Sequence, residues 1–221
     1  MNTLENENVR DLVARLFAEA GASDARLRES LGRMTPEERA QLMANPEADY
    51  RAFYGRVKED YLAVSEATAK LLYMLGRATQ ARSIVEFGTS FGISTIHLAA
   101  ALRDNGGGQL VGSELEPGKV TQAWKNLEAA GLADLVDIRE GDALETLAHD
   151  LPASIDLVLL DGHKALYPGV LDLLRPRLRK GCCIVADNAD MSPDYMARVR
   201  SGKDGLTSMA FSEDVELTVV V

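Results

Sequence analysis

Clustered positive charge is missing from this sequence. Its 24 lysines and arginines are scattered among 34 aspartates and glutamates, for a formal net charge of -10. The electrostatic part of nucleic-acid binding needs a basic face, so no nucleic-acid partner is expected. Long apolar runs are missing as well: none approaches the about 20 residues that span a bilayer, so no membrane partner is expected. The stretch Met1 to Asp11 lacks a basic segment followed by an apolar core. It does not read as a secretory leader, and a cytoplasmic location is expected. Cysteine is scarce. Cys182 and Cys183 are adjacent in a predicted buried strand, and neighbours in a strand point to opposite faces. They are poorly placed to pair or to share a metal, and they read as small core residues. No internal repeat and no low-complexity segment is present.

The 221 residues, 46% of them hydrophobic and 26% charged, suit one α/β domain with a helical extension. Two rhythms divide the chain. From Val9 to about Arg77 the apolar spacing is helical, with Val9, Leu12, Val13, Leu16 and Phe17 on one face. Thr35, Pro36 and Glu38 read as a helix start, with a capping hydroxyl, a first-turn proline and a reciprocal carboxylate. Asn45-Pro46 reads as a break, and Ser65-Glu66 as the opening of a helix that leads into the main domain. Residues 1–62 are therefore expected to form an extension, acting as a cap or a dimer contact, and residues 63–221 the main domain.

After Arg82 strands alternate with helices. Ser83 to Phe87, Leu110 to Glu114, Leu135 to Ile138, Ile155 to Leu160 and Cys182 to Ala186 read as strands, with helical spacing through Ile96 to Leu102 and Lys119 to Ala130. Asn105 to Gly108 reads as a loop. Such alternation, with helices of about ten to fifteen residues, implies a mostly parallel, doubly wound α/β sheet. Thr207 to Phe211 and Val215 to Val221, joined by Ser212-Glu213-Asp214, read as an antiparallel pair at its edge.

Ligands of doubly wound sheets sit outside the carboxyl ends of the strands, so the residues there matter most. The first strand runs into Gly88-Thr89-Ser90-Phe91-Gly92. Two glycines at this spacing allow a tight turn and a close ligand approach. The spacing is neither the three-glycine pattern of a dinucleotide pyrophosphate site nor a Walker loop. Glu114 ends the second strand, where a carboxylate can accept bonds from both hydroxyls of a ribose. Asp142 follows the third, either at an adenine edge or as a helix N-cap. The fourth strand ends in Asp161, with Lys164 three residues on, and the fifth in Asp187-Asn188. Two carboxylates and an amide oxygen at neighbouring strand ends are hard ligands suited to Mg²⁺, not to a structural zinc. His97, His149 and Trp124 read as packing or solvated residues.

From about Val64 to Val221 the chain resembles the cation-dependent O-methyltransferases of the catechol and caffeoyl-coenzyme A type. The resemblance rests on Val85 to Gly92, Gly112-Ser113-Glu114, Glu140 to Ala143, Leu160 to Tyr167 and Ala186-Asp187-Asn188, in that order. It implies a Rossmann-like methyltransferase sheet and S-adenosylmethionine as cofactor. It implies that Glu86 and the turn of Gly88, Thr89, Ser90 and Gly92 hold the methionine part, that Ser94 supports that turn, and that Val64 lies near the transferred methyl. Glu114 then holds the ribose, Asp142 and Ala143 border the adenine, and Asp161 and His163 complete the cofactor wall. Asp161, Asp187 and Asn188 bind Mg²⁺ or another divalent cation, and Lys164 takes the proton of the acceptor hydroxyl. Relatives of this type are often dimers, so a homodimer is expected. Two positions depart from the pattern: His163 stands where tryptophan often packs on the adenine, and the tail after Asn188 is short. The implied acceptor is a small-molecule hydroxyl, with a metal-chelated vicinal aromatic diol first and an aliphatic or natural-product hydroxyl second. A nicotinamide dehydrogenase and a non-catalytic cofactor-binding module are the rival readings.

Overall fold

The structure is a computed structural model that describes residues 2–33, 35 and 50–221. The helix start and break expected at Pro36 to Glu38 and at Asn45-Pro46 lie outside the described residues. Helix α1 (Glu7–Arg33) is followed by α2 (Tyr50–Arg56) and α3 (Glu66–Ala78). Then come β1 (Ser83–Phe87), α4 (Ile93–Asp104), β2 (Gln109–Glu114), α5 (Pro117–Ala130) and β3 (Val136–Glu140). The chain continues through α6 (Ala143–Thr146), β4 (Ile155–Leu160), α7 (Tyr167–Leu174), β5 (Leu178–Ala186) and α8 (Pro193–Val199), and ends in β6 (Leu206–Ala210) and β7 (Glu216–Val220).

The seven strands lie in the order β3-β2-β1-β4-β5-β7-β6. The first five are parallel; β7 runs antiparallel to β5 and to β6. The order reverses at β1, which has β2 on one side and β4 on the other. The loops after β1 and β4 therefore diverge to opposite faces and open a crevice between them.

Alternation along the strands builds both faces. Ile84, Leu110, Leu157 and Cys183 pack with α1, α3, α4 and α5 on one side, while Val85, Val111, Val158 and Cys182 pack under α6, α7 and α8 on the other. Adjacent Cys182 and Cys183 thus enter different cores, and neither forms a disulfide. The face expected on α1 is buried at Val9, Leu12 and Leu16 and extends to Ala20, so this helix shares the core of the sheet. Ser65 caps α3 by accepting from Thr68 N at 3.0 Å. Among the described residues no helix is long and apolar enough to cross a membrane.

Two features differ from the sequence expectation. Strand β5 begins at Leu178 rather than Cys182. After buried Leu178, Arg179-Lys180-Gly181 are half-buried to exposed, and the pairing with β4 shifts register between Ile155 and Leu157. The helices after β3, β4 and β5 are also shorter than about ten residues. α7 is followed by the single turn Arg175–Arg177, which contains Pro176, and a proline removes the amide a continuing helix needs.

Candidate active site

The turn after β1 is the floor of the crevice. Gly88 and Gly92 have φ of 96° and 88°, values that L side chains rarely adopt. A Cβ at Gly88 would stand 2.5 Å from the carbonyl oxygen of Asp161. The two diverging loops therefore touch backbone to backbone, stitched by Asp161 N donating to Phe87 O at 2.7 Å. Glu86 lies behind the turn and is fully buried. Its carboxylate accepts hydrogen bonds from Ser94 Oγ (2.6 Å), Thr95 Oγ1 (2.6 Å) and Thr89 Oγ1 (3.0 Å). Burial pushes its carboxyl up to about 7, against the pull of those three hydroxyls. Glu86 is absent from the crevice wall; it fixes the turn from beneath.

Above the turn lies an open cleft of about 520 Å³. Gly88, Ser90, Glu114, Asp142, Ala143, Asp161 and His163 all line it. An adjoining recess of about 230 Å³ adds Val64, Thr89 and Ser94. Gly92 lines neither; it starts α4 where a side chain would press on Ala123, 3.4 Å away. Glu114 is held by two backbone amides, Ser90 N on one oxygen (2.7 Å) and Glu116 N on the other (2.9 Å). Each carboxylate oxygen can accept more than one bond, so both remain able to receive a ligand hydroxyl. Asp142 caps α6 through Leu144 N (2.9 Å). Burial raises the Asp142 carboxyl, but the hydrogen bonds from Tyr50, Leu144 N and Arg51 outweigh it and hold the group below its ordinary range.

At the far end Asp161 and Asp187 follow the paired residues Leu160 and Ala186 of adjacent strands. The hydroxyl of buried Tyr167 reaches both Leu160 O (2.8 Å) and Asp187 O (2.7 Å), which pins the two strand ends together. Lys164 Nζ lies 2.9 Å from Asp161 Oδ1. Burial pushes both carboxyls up, that of Asp187 to about 7 with a further contribution from Asp161. Asn188 adopts the left-handed conformation (φ 46°, ψ 41°). Its amide nitrogen is 3.4 Å from Asp214 Oδ2, so its amide oxygen is the atom that could face a cation. Among the described residues no group of three or more histidine, cysteine, aspartate or glutamate side chains is disposed to hold a metal ion. A cation here would have two carboxylates and one amide oxygen. Asp187 is buried and Asp161 half-buried; a hard dication would relieve the repulsion between these two carboxylates, which have one ammonium beside them, and the oxygen donor set fits Mg²⁺.

Several wall residues carry no motif in the sequence. Tyr50 and Tyr54 of α2 line the cleft. Tyr61 stacks on Phe91 (centroids 4.3 Å apart), accepts from Ser90 Oγ through its carbonyl (2.5 Å), and donates its hydroxyl to Glu19 of α1. That chain of contacts ties the N-terminal helix to the glycine turn. Lys119 is 3% exposed and also lines the cleft. Its sequence signal was available: Pro117 starts α5, so Lys119 sits in the first turn, at the end of the helix dipole that disfavours cations.

Comparison with known proteins agrees with this geometry. A family model described as a methyltransferase domain matches residues 85–189. Catechol O-methyltransferase of Niastella koreensis is 36% identical over 130 residues, which is 58% of this chain and 58% of that protein, so the matched stretch falls short of two thirds of the relative's length. A provisionally named O-methyltransferase of Mycolicibacterium smegmatis is 31% identical over 160 residues, covering 72% of this chain and 69% of its own. The crystal structure of the O-methyltransferase TomG from Streptomyces achromogenes, in complex with S-adenosylmethionine, superposes with a TM-score of 0.64 at 28% identity, over 85% of this chain and 100% of the other. With the sheet order, these matches show that the chain belongs to the class I S-adenosylmethionine-dependent O-methyltransferase family.

Proposed function

We propose that the chain transfers a methyl group from S-adenosylmethionine to a hydroxyl oxygen of a small molecule, with a vicinal aromatic diol held at a divalent cation as the acceptor. One observation carries the reading. One cleft runs from Asp142 past Glu114 and the Gly88 turn to Asp161, whose carboxylate pairs with Lys164 at 2.9 Å and faces Asp187 at longer range. In this reading Asp142 and Ala143 border the base, Glu114 holds the ribose and the glycine turn the methionine part, with the sulfonium directed toward Asp161.

Methyl transfer is an in-line displacement: the acceptor oxygen forms its bond to the methyl carbon as the carbon–sulfur bond breaks. The work of the chain is to hold the two reactants in line and close together. Asp161, Asp187 and Asn188 would hold the cation. Bound there, it supplies Lewis-acid polarisation of the acceptor oxygen. Lys164, released from Asp161 and having given its own proton to solvent, accepts the hydroxyl proton as the neutral amine. Leu62, Phe87 and Leu166 give the cleft an apolar lining, which suits an aromatic ring.

The test is product mass after incubation of the protein with S-adenosylmethionine and a panel of vicinal aromatic diols, with Mg²⁺ and with chelator. A gain of one methyl group that chelator removes is the expected result. A gain that survives chelator would overturn the metal part. No gain on any diol, with aliphatic hydroxyls methylated instead, would overturn the acceptor.

A further inference from the structure

We infer that Lys119 is a cofactor-recognition residue that binds the carboxylate of the methionine half; this rests on the cofactor reading above. Lys119 lines the cleft together with Ser90 and Glu114, on a side chain that is 3% exposed. Among the described residues it has no hydrogen-bond acceptor and no ion-pair partner within 4 Å; its one close neighbour is the Phe91 ring, with the centroid 5.5 Å away. An ammonium that only the solvent of the cleft can satisfy is less well held than one with a protein acceptor, and this one also opposes the α5 dipole. Glu114, Asp60 and Asp161 face it at longer range, while the oxygens of Glu114 are already engaged by backbone amides. The fold therefore bears a cost that a ligand oxygen can offset. S-adenosylmethionine carries one formal anion, its carboxylate, and that group belongs to the end of the cofactor that the Ser90 turn would hold.

The test is calorimetric titration of wild type and Lys119→Met with S-adenosylhomocysteine and with 5′-methylthioadenosine, which lacks the amino-acid carboxylate. In the variant, affinity for the first should fall about tenfold or more and affinity for the second by less than about twofold. The melting temperature should hold or rise, since the buried charge is gone. Equal losses for both ligands, or no loss for either, would overturn the assignment. A wild type that binds neither ligand would instead overturn the cofactor reading itself.

A second inference stands on different contacts. The geometry points to Tyr50 as an internal occupant of the nucleobase slot. Its ring stacks on His163 (centroids 5.1 Å, planes 18° apart) and its hydroxyl donates to Asp142 Oδ2 at 2.5 Å. Arg51 adds an ion pair to the same oxygen at 3.0 Å. In the cofactor reading above Asp142 borders the base and His163 walls it, so Tyr50 holds both of the contacts that reading gives to the adenine, and the stacked rings leave no room for a third between them. Helix α2 and the cofactor base therefore compete for one place, and α2 must shift when the cofactor enters. Tyr50→Ala should bind both adenosine and S-adenosylhomocysteine about tenfold more tightly, because binding no longer has to displace the docked form. Weaker binding of both would show that Tyr50 is instead a wall of the occupied site, and would overturn this inference while leaving the cofactor reading intact.

Discussion

Replacing Gly88 by Ala is expected to abolish binding of S-adenosylhomocysteine and to cost the fold about 3 kcal/mol or more. Two effects add. The residue sits at φ 96°, where an alanine is strained. The new Cβ would also stand 2.5 Å from Asp161 O, 2.6 Å from Asp161 C and 2.8 Å from Gly162 N. All three are backbone atoms at the exit of a central strand, so no side chain can swing aside. Relief requires the β1 and β4 loops to part, which moves the turn away from Glu114. Denaturant unfolding and calorimetry read the two effects separately. Gly118→Ala is the control: that position in the first turn of α5 has nothing within 4 Å, and it should be neutral or stabilising by about 0.5–1 kcal/mol. A Gly88→Ala midpoint equal to that of wild type would contradict the packing described here.

Asp187→Ala is expected to lower metal-dependent methyl transfer by about a thousandfold or more while leaving the fold intact. The carboxylate stands at the end of β5, beside that of Asp161, and both are pushed up by burial. Removing one relieves a repulsion, so the melting temperature measured without metal should not fall. Asp187 does not line the cleft beneath the proposed cofactor path, so affinity for S-adenosylhomocysteine should stay within about threefold of wild type. Loss of turnover with retained cofactor affinity separates the acceptor end from the cofactor end. Wild-type turnover in this variant would contradict the cation site.

The parts of this molecule that were legible in its sequence are those where local chemistry and global position coincide. A short apolar run ending at Gly88 marks β1, and the carboxylates Glu114, Asp161 and Asp187 stand where apolar runs stop, because a charged group inside a doubly buried strand is costly unless, like Glu86, it finds hydrogen-bond donors. Once the sheet order reverses at β1, parallel pairing brings these ends to one edge, so Glu114, Asp142 and Asp161 converge on one cleft. The role of Glu86 was less legible. The family resemblance set it beside the cofactor, but three hydroxyls from Thr89, Ser94 and Thr95 surround a side chain that packs behind the turn. Tyr50 was not legible at all: its partner Asp142 is 92 residues away, and no local pattern encodes such a contact. Lys119 was legible in principle, since a buried cation in the first turn of a helix breaks a local rule, and such breaks gather at functional sites.

The central claim is that the cleft above β1, β2 and β4 is an S-adenosylmethionine site. Calorimetric titration of the wild-type protein with S-adenosylhomocysteine, and in parallel with NAD, tests it most directly. The account predicts saturable, stoichiometric binding of S-adenosylhomocysteine and none of NAD, whose pyrophosphate the two-glycine turn does not suit. Binding of NAD in place of S-adenosylhomocysteine would contradict it.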